Sequence, residues 1–260
     1  MGKLVSGIDE AGRGGVFGPL IIAGLSLYES DLNELEEKGL KDSKLFTGLT
    51  GRKKRNELAL EIQEFAVDRI VKEIPSEEID RTLAKRPSDN LNLLEIRYFF
   101  QILKDLKSNR IFIDNLSSPK YTVSEIRKLI HRNEDDYKLV IKSRKKDEYS
   151  VSLSKGNQPK IKIVIATRAD KKYSIVAAAS IVAKYTRDKR LREIEQKFHL
   201  PSLSLGQGYP NSMDKHVIKF LEDYQKQIKA RNLPFIRYNW EWATLQAILS
   251  QPEKTLDEFF

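Results

Sequence analysis

The chain has 260 residues, 40% of them hydrophobic and 32% charged, which is enough apolar material for a core and argues against disorder throughout. Lys and Arg number 46 against 37 Asp and Glu, a formal charge of +9 that suits a polyanionic partner or serves solubility alone. The absence of cysteine excludes disulfides, thiolate metal sites and cysteine nucleophiles, and His131, His199 and His216 are too scattered for a histidine zinc site. No apolar run is long enough for a signal peptide or a membrane span, so a cytoplasmic protein is expected.

In chain order, "KLVSGID" and "GPLIIAGLSLY" read as two strands of a hairpin joined by a glycine turn. Residues 52–66 (RKKRNELALEIQEFA) form an amphipathic helix, and "VDRIVKEI" is a third strand or a continuation of that helix. "NLNLLEIRYFFQILKDL" has apolar residues at helical spacing, and the short buried strand "RIFID" follows it. "YKLVIKSR" and "KIKIVIAT" are strands, separated by "KKDEYSVSLSKGNQP", which reads as an exposed hairpin insertion or a mobile loop. From Ser174, "SIVAAASIVAKYTRDKRLREIEQKF" is a long helix with a small, apolar, buried first half and a charged, exposed second half. A turn-rich stretch leads to the helix "KHVIKFLEDYQKQIKA", and the last ten residues, QPEKTLDEFF, form a tail. Strands followed by helices, with one long buried helix, predict an α/β layer structure.

Asp9, Glu10, Asp114 and Asp170 stand where strands end or helices are about to begin, which is where open α/β sheets build their sites. One such acid is ordinarily a cap or turn former. Several together, without His or Cys, suit hard cations such as Mg²⁺ or Mn²⁺, two of which can drive phosphodiester hydrolysis. Asp9 and Glu10 are adjacent and would face opposite ways on a strand, so a shared site requires the chain to be turning already. The turn "GRGGVFG" has Phe17 where a dinucleotide loop requires its third glycine. Its bare backbone could instead approach a sugar–phosphate chain, with Arg13 meeting a phosphate, or it could be a plain tight turn.

"GIDEAGRGGVFGPLIIAG", "KDSKL", "IFIDN", "ADKKYSIVAAASIVAKYTRDKR" and "GQGYP" together resemble the type 2 ribonucleases H, the ribonuclease HII family, from about residue 4 to 242. "NLNLLE", "GQGYP" and "FIRYNW" look closer to its archaeal and eukaryotic branch. The resemblance implies a ribonuclease H-like mixed sheet flanked by helices, with 1–200 as catalytic domain, 201–250 as its C-terminal helical portion and 251–260 as a tail. It implies an endoribonuclease acting on RNA–DNA hybrids and on the 5′ side of single ribonucleotides in duplex DNA. Two Mg²⁺ or Mn²⁺ ions would sit on Asp9, Glu10, Asp114 and Asp170, and the products would be 3′-hydroxyl and 5′-phosphate ends.

By the same resemblance Gly12, Arg13 and Gly14 recognise the 2′-hydroxyl, Tyr209 packs on the following sugar, and Ser43 and Lys44 contact phosphate. Gly15 replaces the usual proline, which is expected to loosen the turn, and residues 135–160 are longer than the family core. The type 3 relative is disfavoured by the lack of room before Asp9 for its extra domain and by its different turn. The basic runs "RKKR", "KSRKK" and "KRLR" read singly as solvated faces, with one expected to flank the site. A monomer is expected. The tail spacing Leu256-x-x-Phe259-Phe260 resembles the peptide by which repair enzymes dock on the sliding clamp, although Glu253 stands where that peptide has glutamine. The alternative is that both phenylalanines fold back onto the protein.

Overall fold

The first two strands, β1 (Leu4–Ala11) and β2 (Leu20–Tyr28), pair antiparallel over their whole length, Leu4 opposite Tyr28 and Ala11 opposite Ile21. This computed structural model describes residues 2–41, 46, 48–115, 117–133, 136–211 and 214–251. Next come helices α1 (Glu29–Glu37) and α2 (Gly48–Phe65), strand β3 (Asp68–Ile74), helices α3 (Ser76–Ala84) and α4 (Leu91–Asp105), and strand β4 (Arg110–Asp114). Helix α5 (Pro119–Arg132) leads to strands β5 (Tyr137–Lys145), β6 (Glu148–Lys155) and β7 (Ile161–Ala166). The short α6 (Ala169–Lys172) precedes the long α7 (Ser174–Lys197), and α8 (Lys215–Asp223), α9 (Gln225–Lys229) and α10 (Ala243–Ser250) close the chain.

The strands form one mixed sheet in the order β3-β2-β1-β4-β7-β6-β5, with β1, β4 and β7 parallel at its centre. This is the ribonuclease H-like arrangement expected from the resemblance. Period-two alternation splits β1 and β2 between two cores. Val5, Ala11, Ile21, Ala23 and Leu25 meet α1, α2 and α7 on one face. Ile8, Leu20 and Ile22 meet α3, α4 and α5 on the other. A third cluster joins Val16, Phe17 and Leu191 to residues of α8, α9 and α10, so the C-terminal helices pack on the segment that follows the glycine turn. Among the described residues no helix is long and apolar enough to cross a membrane.

Several expectations change. The first strand runs two residues beyond Asp9, because Glu10 and Ala11 still pair with Ile22 and Ile21. The segment read as an insertion or loop contains a full strand: Tyr149, Val151 and Leu153 of β6 point into the second core, while Ser150, Ser152 and Ser154 alternate with them. The charged half of α7 is not wholly exposed, since Arg187, Leu191 and Glu195 recur every fourth residue on one buried stripe. The helix expected over 215–230 breaks at Tyr224. Helices α1, α3, α5, α6 and α10 were not anticipated; all but α5 have nine residues or fewer, and packing rather than propensity stabilises such short helices.

Candidate active site

The site is built where two parallel strands part. Pairing between β1 and β4 runs from Ser6–Ile111 to Ile8–Ile113 and stops. Beyond it β4 stays on β7, with Asp114 opposite Ala166, while β1 stays on β2 as far as Ala11. Asp9, Glu10 and Asp114 occupy this opening, each offering an oxygen within 4.8 Å of the others. The two neighbouring acids therefore meet although their strand has not yet turned. Separation from β4 leaves the flank of β1 open to both.

Local bonds hold the acids in place. The Glu10 backbone N–H donates to Asp9 Oδ1 at 2.8 Å. The Ala169 N–H donates to Asp114 Oδ1 at 2.5 Å, so Asp114 anchors the start of α6, the helix that carries Asp170. Asp170 is thus beside the group but not within it; its charge helps to raise the proton affinity of Asp114. Arg168, just before α6, adopts a left-handed conformation with φ of 55°.

The electrostatics are those of acids crowded together with little to neutralise them. Burial, then the Glu10 charge, holds Asp9 well above the usual carboxylate range, against a hydrogen bond from Ser180 and the charge of Lys184 on α7. Burial and then the charge of Glu95 push Glu10 to about 7. Burial and then the charge of Asp9 push Asp114 to about 7. Glu10 Oε2 is buried and accepts no hydrogen bond among the described residues. An all-oxygen set of this kind, short of donors, fits a hard divalent cation.

Next to the acids lies the glycine turn. Gly12 has φ of +90°, and a Cβ there would collide with the Arg187 side chain beneath it. Gly15 N–H closes the turn on the Gly12 carbonyl at 3.1 Å, so the glycine found in place of proline is itself part of the closure. Buried Arg237 donates to the Arg13 carbonyl at 2.9 Å and twice to the Gly18 carbonyl. Buried Arg187 donates to the Gln207 carbonyl at 2.6 Å, and its guanidinium lies 4.6 Å from the Tyr209 ring centre. Tyr209 also faces Gly14, where a Cβ would come 3.7 Å from its ring. The structure therefore gathers Gly12, Arg13, Gly14 and Tyr209 around two buried arginines. Ser43, Lys44, Leu256, Phe259 and Phe260 lie outside the described residues.

Sequence reading found α4 as a helix but not its role at the glycine turn. Asn90 caps this helix by accepting the Leu93 N–H, and the next turn presents Asn92 and Glu95 to Arg13. Glu95 is fully buried, its Oε2 stands 3.4 Å from Arg13 Nε, and among the described residues neither oxygen accepts a hydrogen bond. A carboxylate among Leu91, Leu94 and Phe99 on an apolar helix face was the available signal. Arg187 announced itself in the same way, sharing its stripe with Ala183 and Leu191.

Comparison with known proteins agrees with this geometry. The family model described as Ribonuclease HII matches residues 6–243. The ribonuclease HII of Methanococcus maripaludis strain C7 is 35% identical over 259 residues, covering 98% of this chain and 90% of the relative. The ribonuclease H2 of Pyrococcus horikoshii superposes with a TM-score of 0.68 at 29% identity, covering 95% of this chain and 97% of that one. The ribonuclease HII of Archaeoglobus fulgidus, solved as a complex with PCNA, gives 0.66 at 27% identity over 98% and 100% of the two chains. The chain belongs to the ribonuclease HII family, metal-dependent nucleases of the ribonuclease H type.

Proposed function

We propose that this chain hydrolyses the RNA strand of RNA–DNA hybrids and nicks duplex DNA on the 5′ side of a single embedded ribonucleotide. The observation that carries the reading is the contact between two features: a donor-poor acid cluster, and a bare glycine turn held rigid from below. Asp9, Glu10 and Asp114, with Asp170 beside them, would hold two Mg²⁺ or Mn²⁺ ions. When bound, such ions supply an activated water and charge stabilisation for in-line phosphodiester hydrolysis, leaving 3′-hydroxyl and 5′-phosphate ends.

The protein's own contribution is positional. Gly12 and Gly14 present backbone rather than side chains, so the chain at the turn can approach a 2′-hydroxyl, the group that tells RNA from DNA. Arg13, oriented by Glu95 and Asn92, meets an adjacent phosphate. Tyr209, 37% exposed above Arg187, offers its ring to the next sugar and fixes which phosphate reaches the acids. Ser43 and Lys44 contribute further phosphate contacts. The tail residues Leu256, Phe259 and Phe260 dock on a sliding clamp, a reading supported by their spacing and by the PCNA complex of the Archaeoglobus relative.

The deciding experiment uses a DNA duplex with one ribonucleotide, an all-DNA duplex and a long hybrid, with product ends mapped. Cutting is expected on the first and third, at the 5′ side of the ribonucleotide, and not on the second. Cutting of all three alike would replace this reading with a sugar-blind nuclease of the same fold. Tyr209→Ala is expected to lose rate mainly on the single ribonucleotide, since misplacement by about 1 Å costs on the order of 100-fold. Equal loss on both substrates would make Tyr209 structural. For the tail, a chain ending at Ser250 is expected to lose clamp binding. Unchanged affinity would end that idea, and a large fall in melting temperature would favour folding back.

A further inference from the structure

Three runs of basic residues distinguish themselves by what they pair with. In 52–55, Arg52 and Arg55 are paired with Asp188, and Lys53 lies near Glu57. In 189–192, Lys189 pairs with Glu193, Arg190 with Glu73 and Glu193, and Arg192 with Glu195. The run 189–192 is neutralised within the fold, and 52–55 in part, Arg52 and Arg55 sharing one acid and Lys54 having no ion pair among the described residues. The run at the end of β5 differs: among the described residues Arg144, Lys145 and Lys146 are exposed and have no ion pair or side-chain hydrogen bond.

Their location gives this a meaning. Strand β6 runs antiparallel to β7, and β5 antiparallel to β6, so the β5–β6 turn lies at the carboxyl end of β7, where Glu148 is opposite Ala166. That is the end of the sheet that carries the acids. The turn is also braced to the segment bearing Asp170. Thr167 N–H donates to the Asp147 carbonyl at 2.9 Å, and Tyr173 O–H donates to Glu148 Oε2 at 2.8 Å. The braced segment adds three exposed cations of its own, Arg168, Lys171 and Lys172, none of them paired among the described residues. The acids facing these six cations are Asp147, at the turn itself, Glu148, already engaged by Tyr173, and Asp170.

We infer that the β5–β6 hairpin is a phosphate-binding arm that holds one flank of the duplex away from the cut. The inference rests on the nuclease reading above and adds where the substrate runs: across the carboxyl ends of the strands, from the opening between β1 and β4 toward β5. Three strand spacings separate that opening from the hairpin turn in the sheet order, about 14 Å at ~4.8 Å each. With a rise of about 3.4 Å per base pair, and allowing for the length of a lysine, the arm meets phosphates roughly four to six base pairs from the cleaved bond. Salt-screened contacts with phosphate add affinity without adding sequence preference.

The test is equilibrium binding of the full chain to a labelled 20-base-pair RNA–DNA hybrid, with no divalent metal so that nothing is cut. R144S/K145S/K146S is expected to bind about tenfold more weakly at low salt. Its slope of log affinity against log salt should fall by about 2 to 3, the value for roughly three lost phosphate contacts. K138S/K160S/K162S removes the same charge from the opposite end of these strands and is expected to bind as wild type. On a DNA duplex with one embedded ribonucleotide, which fixes the cut, leaving two base pairs on the arm's side should abolish the difference between wild type and the first variant. Equal binding by that variant on the long hybrid would overturn the arm. So would an equal loss in the second variant, or a difference that survives whichever side is shortened. Wild type is separately assayed for cutting with Mg²⁺ or Mn²⁺. Failure there would refute the nuclease reading, while the metal-free binding would still decide the arm.

Discussion

The buried carboxylate on α7 and the acids at the strand ends are treated in opposite ways. Glu195, 3% exposed on α7, is surrounded by donors. Its Oε1 accepts the Leu205 N–H at 2.9 Å, and its Oε2 accepts the Leu203 N–H at 3.1 Å and Arg192 Nη1 at 2.5 Å. Asp9, Glu10 and Asp114 share one small opening with few donors: Asp9 has the Glu10 N–H and Ser180, Asp114 has backbone N–H groups including that of Ala169, and Glu10 Oε2 has no partner among the described residues. Burying a charge costs several kcal/mol unless donors or an opposite charge compensate it. Glu195 is compensated within the fold and tethers the loop that leads to Tyr209. The acids at the strand ends are compensated only in part by Ser180 and Lys184, and a cation or a proton supplies the rest. Between Glu195 and the strand-end acids, burial does not make the distinction; the inventory of donors does.

The largest expected effects test that contrast directly. Asp9→Asn and Asp114→Asn should lower turnover by at least about 10²–10³-fold, the scale of losing one preorganised charge interaction with a transition state. Their melting temperatures should hold or rise, because each change removes repulsion. Glu195→Gln should do the reverse. Breaking a buried, paired charge costs about 3 kcal/mol of stability, while the folded fraction keeps its cutting site. Activity assays at saturating metal beside thermal melts would measure both. An Asp9→Asn protein that melts as early as Glu195→Gln would place Asp9 among the structural acids and break the comparison.

The same contrast explains what could be read from the sequence. Asp9 and Asp114 were legible because each ends an apolar run, and Gly12 because an almost bare turn follows. Those are local signals. Glu95, Ser180, Lys184 and Arg187 were missed because their roles arise from approach in space: α4 brings Glu95 to Arg13, and α7 brings Ser180 and Lys184 to Asp9. Strand β6 was misread for another reason. Its alternation of Tyr149, Val151 and Leu153 with serines was present, but the lysines and glycine around it pulled the reading toward a loop. Its partners on both sides, β5 and β7, settle its identity as a strand.

A smaller effect sharpens the comparison through pH. Glu10 and Asp114 are raised from 4.5 and 3.8 to about 7 in the folded protein. Between those limits the folded state holds protons that the unfolded chain has released. Stability is therefore fully present below about pH 4 and declines as pH rises toward 7, by up to about 1.4 kcal/mol per unit for each group. A cation competes with the same protons, so its binding strengthens over that interval. Thermal melts with and without Mg²⁺ should show a larger metal-induced rise at pH 8 than at pH 6, and Asp114→Asn should reduce the difference. Equal rises at both pH values would mean that these acids do not bind the ion.

The smallest effect concerns the turn that lies between the two regions, and it sets this chain's geometry against the family pattern. Where the family usually has proline, Gly15 uses its N–H to reach the Gly12 carbonyl at 3.1 Å. A Cβ at Gly15 would stand 2.7 Å from Arg187 Nη2 and 3.1 Å from the Gly208 carbonyl. Proline would stabilise by about 0.4–1 kcal/mol through the unfolded chain. Against this it removes a hydrogen bond worth about 1 kcal/mol. It also crowds a packed arginine, and overpacking costs about 1–3 kcal/mol. Gly15→Pro should therefore destabilise by about 1–3 kcal/mol, as read from the shift in a urea melt. Because Arg187 also supports Tyr209, turnover on a single ribonucleotide should fall with it, by more than turnover on a long hybrid. A stability gain would show that Arg187 can yield without cost, and that the buried arginines brace the turn less firmly than their bonds to Gln207 and Arg13 imply.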